Sequence, residues 1–258
     1  MVILSKRQKF IISSLILTLG LYLLQTVSFE FKYQTIIALS VLAGVLTFWS
    51  LKEAAFGLAR WMTPILPIFF TAGVSLFYFL LPRTILTAIP ILTFYFLGTY
   101  AFFLILNIFS VAAIRTISLF RSASAVGFLL TLLTSFFLYN TTISLKLLFF
   151  SNFVAFFLFS FPLILVSLWS VNLEEKLTFK LTLTTFAISL FLAEFELALS
   201  FWPVTVTIGS LFLTSLLYVI LGLAQADFQG RLFKRTIIEY LTVGIAVFLI
   251  MVAYTNWG

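Results

Sequence analysis

The sequence has no cysteine and no histidine, and its only aspartate is Asp227. Without cysteine there is neither a disulfide framework nor a thiol nucleophile. Without histidine the commonest general base and the commonest metal ligand are both missing. These gaps exclude a zinc site, a histidine-dependent serine hydrolase and an intramembrane protease built on two aspartates. The aspartate-rich motifs with which membrane prenyltransferases hold magnesium diphosphates are missing too, and no glycine-rich phosphate loop is present. The reading implies no metal and no cofactor.

Charge is also scarce. Only 9% of the 258 residues are charged, whereas 63% are hydrophobic, and the mean hydropathy is +1.22. A soluble domain carries roughly a quarter charged residues, so a chain this poor in charge cannot cover a water-facing surface and must be covered by lipid. The net charge of +7 would suggest nucleic acid in a soluble protein. Here the basic residues sit singly or in small groups between apolar runs, and none forms a stretch that could track phosphates. Nucleic acid is therefore not an expected partner; membrane lipids are, and a membrane-protein partner is compatible with the pattern.

What the chain does have is a series of apolar runs long enough to span a bilayer, which takes about 20 residues each. They predict an all-α polytopic bundle in a single membrane domain, with about nine spans near 10–27, 35–51, 62–81, 85–111, 123–139, 147–171, 177–196, 203–223 and 238–255. The first run is longer than a signal-peptide core and lacks a good cleavage site, so it reads as an anchor. Pro90 and Pro162 fall inside spans, and Pro203 is expected in the first turn of the eighth.

Loop charges orient the bundle. With the N-terminus inside, the inner loops hold Lys6, Arg7, Lys9, Lys52, Arg60, Arg115, Arg121, Lys176, Lys180, Arg231, Lys234 and Arg235. The outer loops hold only Lys32, Arg83 and Lys146. This bias predicts an N-terminus inside, a C-terminus outside and residence in the cell (cytoplasmic) membrane. Trp49, Trp61, Trp169, Trp202 and Trp257 all fall near span ends, as an aromatic belt would.

Glu194 and Glu196 are the most informative residues, because ionisable groups at membrane depth are costly and usually functional. Two positions apart on a helix, they point about 200° away from each other. Two readings stay open. Either both lie in the outer headgroup layer, or one is buried and paired, with Arg83 or Lys146 as its cation. Asn140 and Asn152 frame the same side, so an outward polar cluster of Glu194, Glu196, Arg83, Lys146, Asn140 and Asn152 is the candidate site. On the inner side, Arg231, Lys234 and Arg235 are spaced to share one helical face and suit contact with anionic lipid. The spacings Ser40 with Gly44 and Ala123 with Gly127 permit close helix approach. Asn140-Thr141-Thr142 matches a glycosylation acceptor.

Three functional readings follow. The first is a carrier, or a lipid- or small-solute-handling protein, with an outward-facing polar pocket. The second is a non-enzymatic component of a membrane assembly. The third is a transferase acting on a lipid-linked substrate through a lone carboxylate such as Glu30, although the 28–34 loop is short for a sugar site.

Overall fold

In lipid, an apolar segment can satisfy its backbone only within itself, by the hydrogen bonds of a helix. A computed structural model describes residues 5–52, 55–114 and 118–255, and among them it is helical with no strand. The helices are α1 (Lys6–Leu24), α2 (Lys32–Leu51), α3 (Gly57–Met62), α4 (Ile65–Leu80), α5 (Ile85–Ala112), α6 (Phe120–Ser144), α7 (Phe149–Asn172), α8 (Phe179–Leu199), α9 (Val206–Phe228) and α10 (Lys234–Ala253). With α3 and α4 taken together as Gly57–Leu80, nine helices among the described residues are long and apolar enough to cross a membrane. The architecture is that of a multi-pass membrane protein, with the expected number of spans.

The helix ends show where the sequence reading was close and where it slipped. Helix α1 starts at Lys6 rather than near residue 10, because Ser5 caps it. Ser5 Oγ accepts from the Gln8 amide at 3.4 Å, and Gln8 Oε1 accepts from the Ser5 amide at 2.8 Å. Pro90 and Pro162 lie inside α5 and α7, as expected. Pro203 does not open a helix. The chain stays extended through Thr205, which is the N-terminal boundary residue of α9 at ψ 152°, so Pro203 lies in the connection. Arg115, Glu53 and Trp257 lie outside the described residues.

The first compact unit is Met1–Thr134. In it α2 packs on α4, and α1 packs on both α2 and α5. The interior is partly polar: Ser13, Ser14, Thr47, Ser50, Thr71 and Ser75 are all buried. The exterior is apolar, and Ile85, Leu86 and Ile89 are more than half exposed. That inversion suits lipid, where packing and hydrogen bonds, rather than apolar burial, bring helices together. Phe70 anchors an aromatic cluster, with ring centroids 5.6 Å from Tyr95 and 5.1 Å from Phe102. Gly44 lets α2 approach α4 closely, since a Cβ there would lie 2.9 Å from Ile68 Cδ1. Gly127 does the same for α6 against Phe109 of α5, at 3.3 Å. Both small-residue spacings therefore serve packing within the chain.

The second compact unit is Ser135–Gly258. Helix α7 packs along α8, while α9 touches α7, α8 and α10. Tyr139 of α6 stacks on Phe156 of α7 at 4.5 Å and meets Ser160 Oγ at 2.6 Å. Gln225 of α9 donates to Ser167 Oγ of α7 at 2.9 Å. Trp169 is fully buried, its indole N–H donating to the Glu174 carbonyl at 3.0 Å. It sits near a span end as expected, but its ring packs in protein, because the turn after α7 folds back to receive it. In both units many hydroxyls bond to a carbonyl one turn back in their own helix. Examples are Thr18 to Ser14, Thr47 to Ala43, Thr134 to Leu130 and Thr185 to Leu181, at 2.7–2.8 Å.

Candidate functional site

Helix α8 runs to Leu199, so both glutamates belong to its last two turns rather than to a loop beyond it. The helical offset then separates them as their spacing requires. Glu194 is exposed, whereas Glu196 is 2% exposed. Glu196 is thus buried and Glu194 is not, but the expected pairing of a buried carboxyl with Arg83 or Lys146 is not seen among the described residues.

Glu196 lines a cavity of about 360 Å³ formed by the α6–α7 turn, the start of α7, the end of α8 and the connection into α9. Asn152, one turn into α7 and buried, lines it from the opposite helix, and Lys146 stands in the turn between α6 and α7. Phe149, Phe201 and Trp202 add aromatic wall. Trp202 is pinned by donation of its indole N–H to Thr255 Oγ1 at 3.2 Å. The Phe149 and Phe201 rings lie 6.1 Å apart.

Inside this cavity the hydrogen bonding is incomplete. Ser200, one turn beyond Glu196, places its hydroxyl 3.0 Å from Glu196 Oε1 and 3.2 Å from the Glu196 carbonyl. One hydroxyl proton serves both. The Asn152 amide lies beside the carboxyl, yet neither Glu196 Oε2 nor Asn152 Oδ1 has a hydrogen-bond partner. Both residues line the cavity, but these two oxygens are buried away from its surface. Orphaned buried acceptors cost about 1–3 kcal/mol each.

Lys146 has φ 47°, the left-handed region that a non-glycine residue seldom occupies. Its side chain is exposed, and no ion pair joins it to Glu196 among the described residues. The cavity is therefore lined by a buried carboxyl residue and an exposed cation that are not paired with each other.

The rest of the predicted cluster is placed elsewhere. Asn140 is buried in the middle of the second unit, where its Nδ2 donates to Ser210 Oγ at 3.1 Å and ties α6 to α9. It is adjacent to the cavity wall at Gly209 but does not line the cavity. Burial inside a helix also removes it as a glycosylation acceptor. Arg83 is exposed in the turn between α4 and α5, in the first unit. Glu30 is likewise exposed there, in a short 3₁₀ turn before α2. Sequence reasoning missed Ser200, although a serine four residues after a buried glutamate was the available signal.

The basic group of Arg231, Lys234 and Arg235 is split. Gly230 at φ 65° ends α9 and turns the chain, so Arg231 sits in the connection while Lys234 and Arg235 open α10. The three do not share one helical face. Arg235 Nε pairs with Glu239 Oε1 at 2.9 Å, and Lys180 Nζ pairs with Asp227 Oδ2 at 2.7 Å, both on exposed surface. A second cleft, beside Lys52 and Arg60 in the first unit, measures about 10 Å³ and has room for no more than a water.

Fold and site together define a polytopic helical membrane protein with a polar cavity built into the end of a helix bundle. Residues 15–254 match the family described as DUF5656, a protein of unknown function, and the chain belongs to that family. No curated protein and no solved structure matches it.

Proposed function

We propose that this chain is a carrier, or a lipid- or small-solute-handling protein, whose binding site is the cavity around Glu196, Asn152 and Lys146. One observation carries the reading: a carboxyl group 2% exposed at a helix end lines a cavity of about 360 Å³ with one oxygen left without a donor. Pockets that take small molecules begin at about 300 Å³ and combine apolar walls with a few placed polar groups. An ionisable group at this depth is a functional site by default.

The loop-charge bias supports the cell (cytoplasmic) membrane as the location, with the N-terminus inside, the C-terminus outside and the cavity opening outward. Purified protein reconstituted into vesicles tests the function with fluorescently tail-labelled phosphatidylethanolamine and phosphatidylglycerol as probes. Accelerated transbilayer movement of either lipid, lost in Glu196→Gln and kept in Glu194→Gln, is the expected result. Equal rates in vesicles with and without the protein would remove the lipid version of the proposal.

A second reading, a non-enzymatic assembly component, is favoured by α10. Met251 is the only buried residue of that helix, and its contacts are with α9. A partner helix could lie along its free apolar side. A stoichiometric companion retained in mild detergent would support this reading, and a solitary monomer with lipid activity would favour the first.

A further inference from the structure

The cavity has a chemical polarity that narrows its occupant. On the floor stand the buried Glu196 carboxyl and, beside it, the buried Asn152 side chain. Both need N–H or O–H donors, and a buried carboxylate also needs a positive charge. At the rim, Lys146 offers an ammonium with no carboxylate partner among the described residues. A purely anionic ligand would satisfy Lys146 but set its own charge against the Glu196 carboxyl. A simple amine would do the reverse.

We infer that the ligand is a zwitterion: a protonated amine seated on Glu196 and Asn152, with an anionic phosphate or carboxylate a few atoms away facing Lys146. The inference rests on the binding reading above and specifies its substrate class. An ammonium group brings several N–H donors and a positive charge to the buried carboxyl. Its hydrogen bonds to the carboxylate are charge-assisted, the stronger kind. The rings of Phe149, Phe201 and Trp202 suit the short apolar linker between the two charges, and an ammonium can also lie against an aromatic face. The same chemistry occurs in an aminophospholipid headgroup and in a free zwitterionic solute.

The test uses the full chain in nanodiscs, with lipid retention read by native mass spectrometry. Phosphatidylethanolamine and phosphatidylglycerol are the probes, and soluble O-phosphoethanolamine is the competitor. The expected result is retention of phosphatidylethanolamine over phosphatidylglycerol by about tenfold, the equivalent of one charge-assisted hydrogen bond. Glu196→Gln, nearly isosteric, should abolish that preference. Lys146→Gly should weaken both lipids, since it removes only the rim charge. Competition by O-phosphoethanolamine would identify the free headgroup as a sufficient ligand; failure to compete would identify the intact lipid.

Equal retention of both lipids, or an unchanged preference in Glu196→Gln, would overturn the zwitterion inference. If phosphatidylglycerol binds and its binding depends on Lys146, the handling reading survives without the amine. If no lipid is retained above empty nanodiscs and O-phosphoethanolamine alone does not bind, the zwitterion inference and the lipid version of the handling reading both fall.

Discussion

Replacing Glu196 should make this protein more stable, not less. The carboxyl is buried, and its Oε2 has no donor. Leaving such a group unmet costs about 1–3 kcal/mol. Glu196→Leu removes that cost but gives up the Ser200 contact at 3.0 Å, worth about 1 kcal/mol. Ser200 is not orphaned by the change, because it keeps the Glu196 carbonyl at 3.2 Å. The balance is a gain of about 1 kcal/mol. Glu196→Gln should be neutral or slightly stabilising, because it keeps the side-chain shape and the Ser200 contact while removing the charge. In a chain of this size about 1 kcal/mol corresponds to a rise of roughly 2–4 °C in Tm. Unfolding from mild detergent into SDS, followed by tryptophan fluorescence, measures it. A loss of stability above about 1 kcal/mol in both variants would refute the reasoning, since it would mean that the carboxyl is a structural lock between helices. Stability gained as ligand binding is lost is the signature of a site maintained for function.

Other positions give equally definite expectations. Gly222→Ala should destabilise by about 1–2 kcal/mol, because its Cβ would lie 2.6 Å from Tyr240 Oη and drive α9 from α10; in a Tyr240→Ala background the same change should become neutral or stabilising in the same unfolding assay. Lys146→Gly should be close to neutral, whereas Lys146→Val should cost about 1–2 kcal/mol, because φ 47° suits glycine and disfavours a β-branched side chain. Asp227→Asn should move stability by less than about 1 kcal/mol, since its ion pair with Lys180 is exposed. The natural sequence has no cysteine, so single cysteines at 146 and 231 can report sidedness without background. Labelling by an impermeant maleimide from outside is expected at 146, and at 231 only after permeabilisation.

The span count was readable because length and apolarity alone decide what a bilayer accepts. The opposition of Glu194 and Glu196 was readable because it follows from helical geometry. Which of them is buried was not readable, because the answer depends on Asn152, 44 residues away in sequence and brought opposite by α7 packing on α8. The same holds for Asn140, whose partner Ser210 lies on α9. The spacing of Arg231, Lys234 and Arg235 misled because helical periodicity was carried across Gly230, where a left-handed residue stops the helix. Pro203 misled because a proline suited to a first turn suits an extended connection equally well.

The hydroxyls that bond back to their own helices bear on how the protein assembles. Thr47, Thr134 and Thr185 need no neighbour to cap their protons, so each helix can enter the bilayer with that polarity already masked. Axial register must then be chosen by polar contacts that exist only after docking, among them Ser13 with Ser50, Thr71 with Tyr95, Tyr139 with Ser160, Asn140 with Ser210 and Gln225 with Ser167. Such contacts act as alignment pins. A helix that slides by one turn keeps most of its greasy surface in contact but misses its pin, and that mismatch tells the folding chain which of several near-equal packings is the correct one.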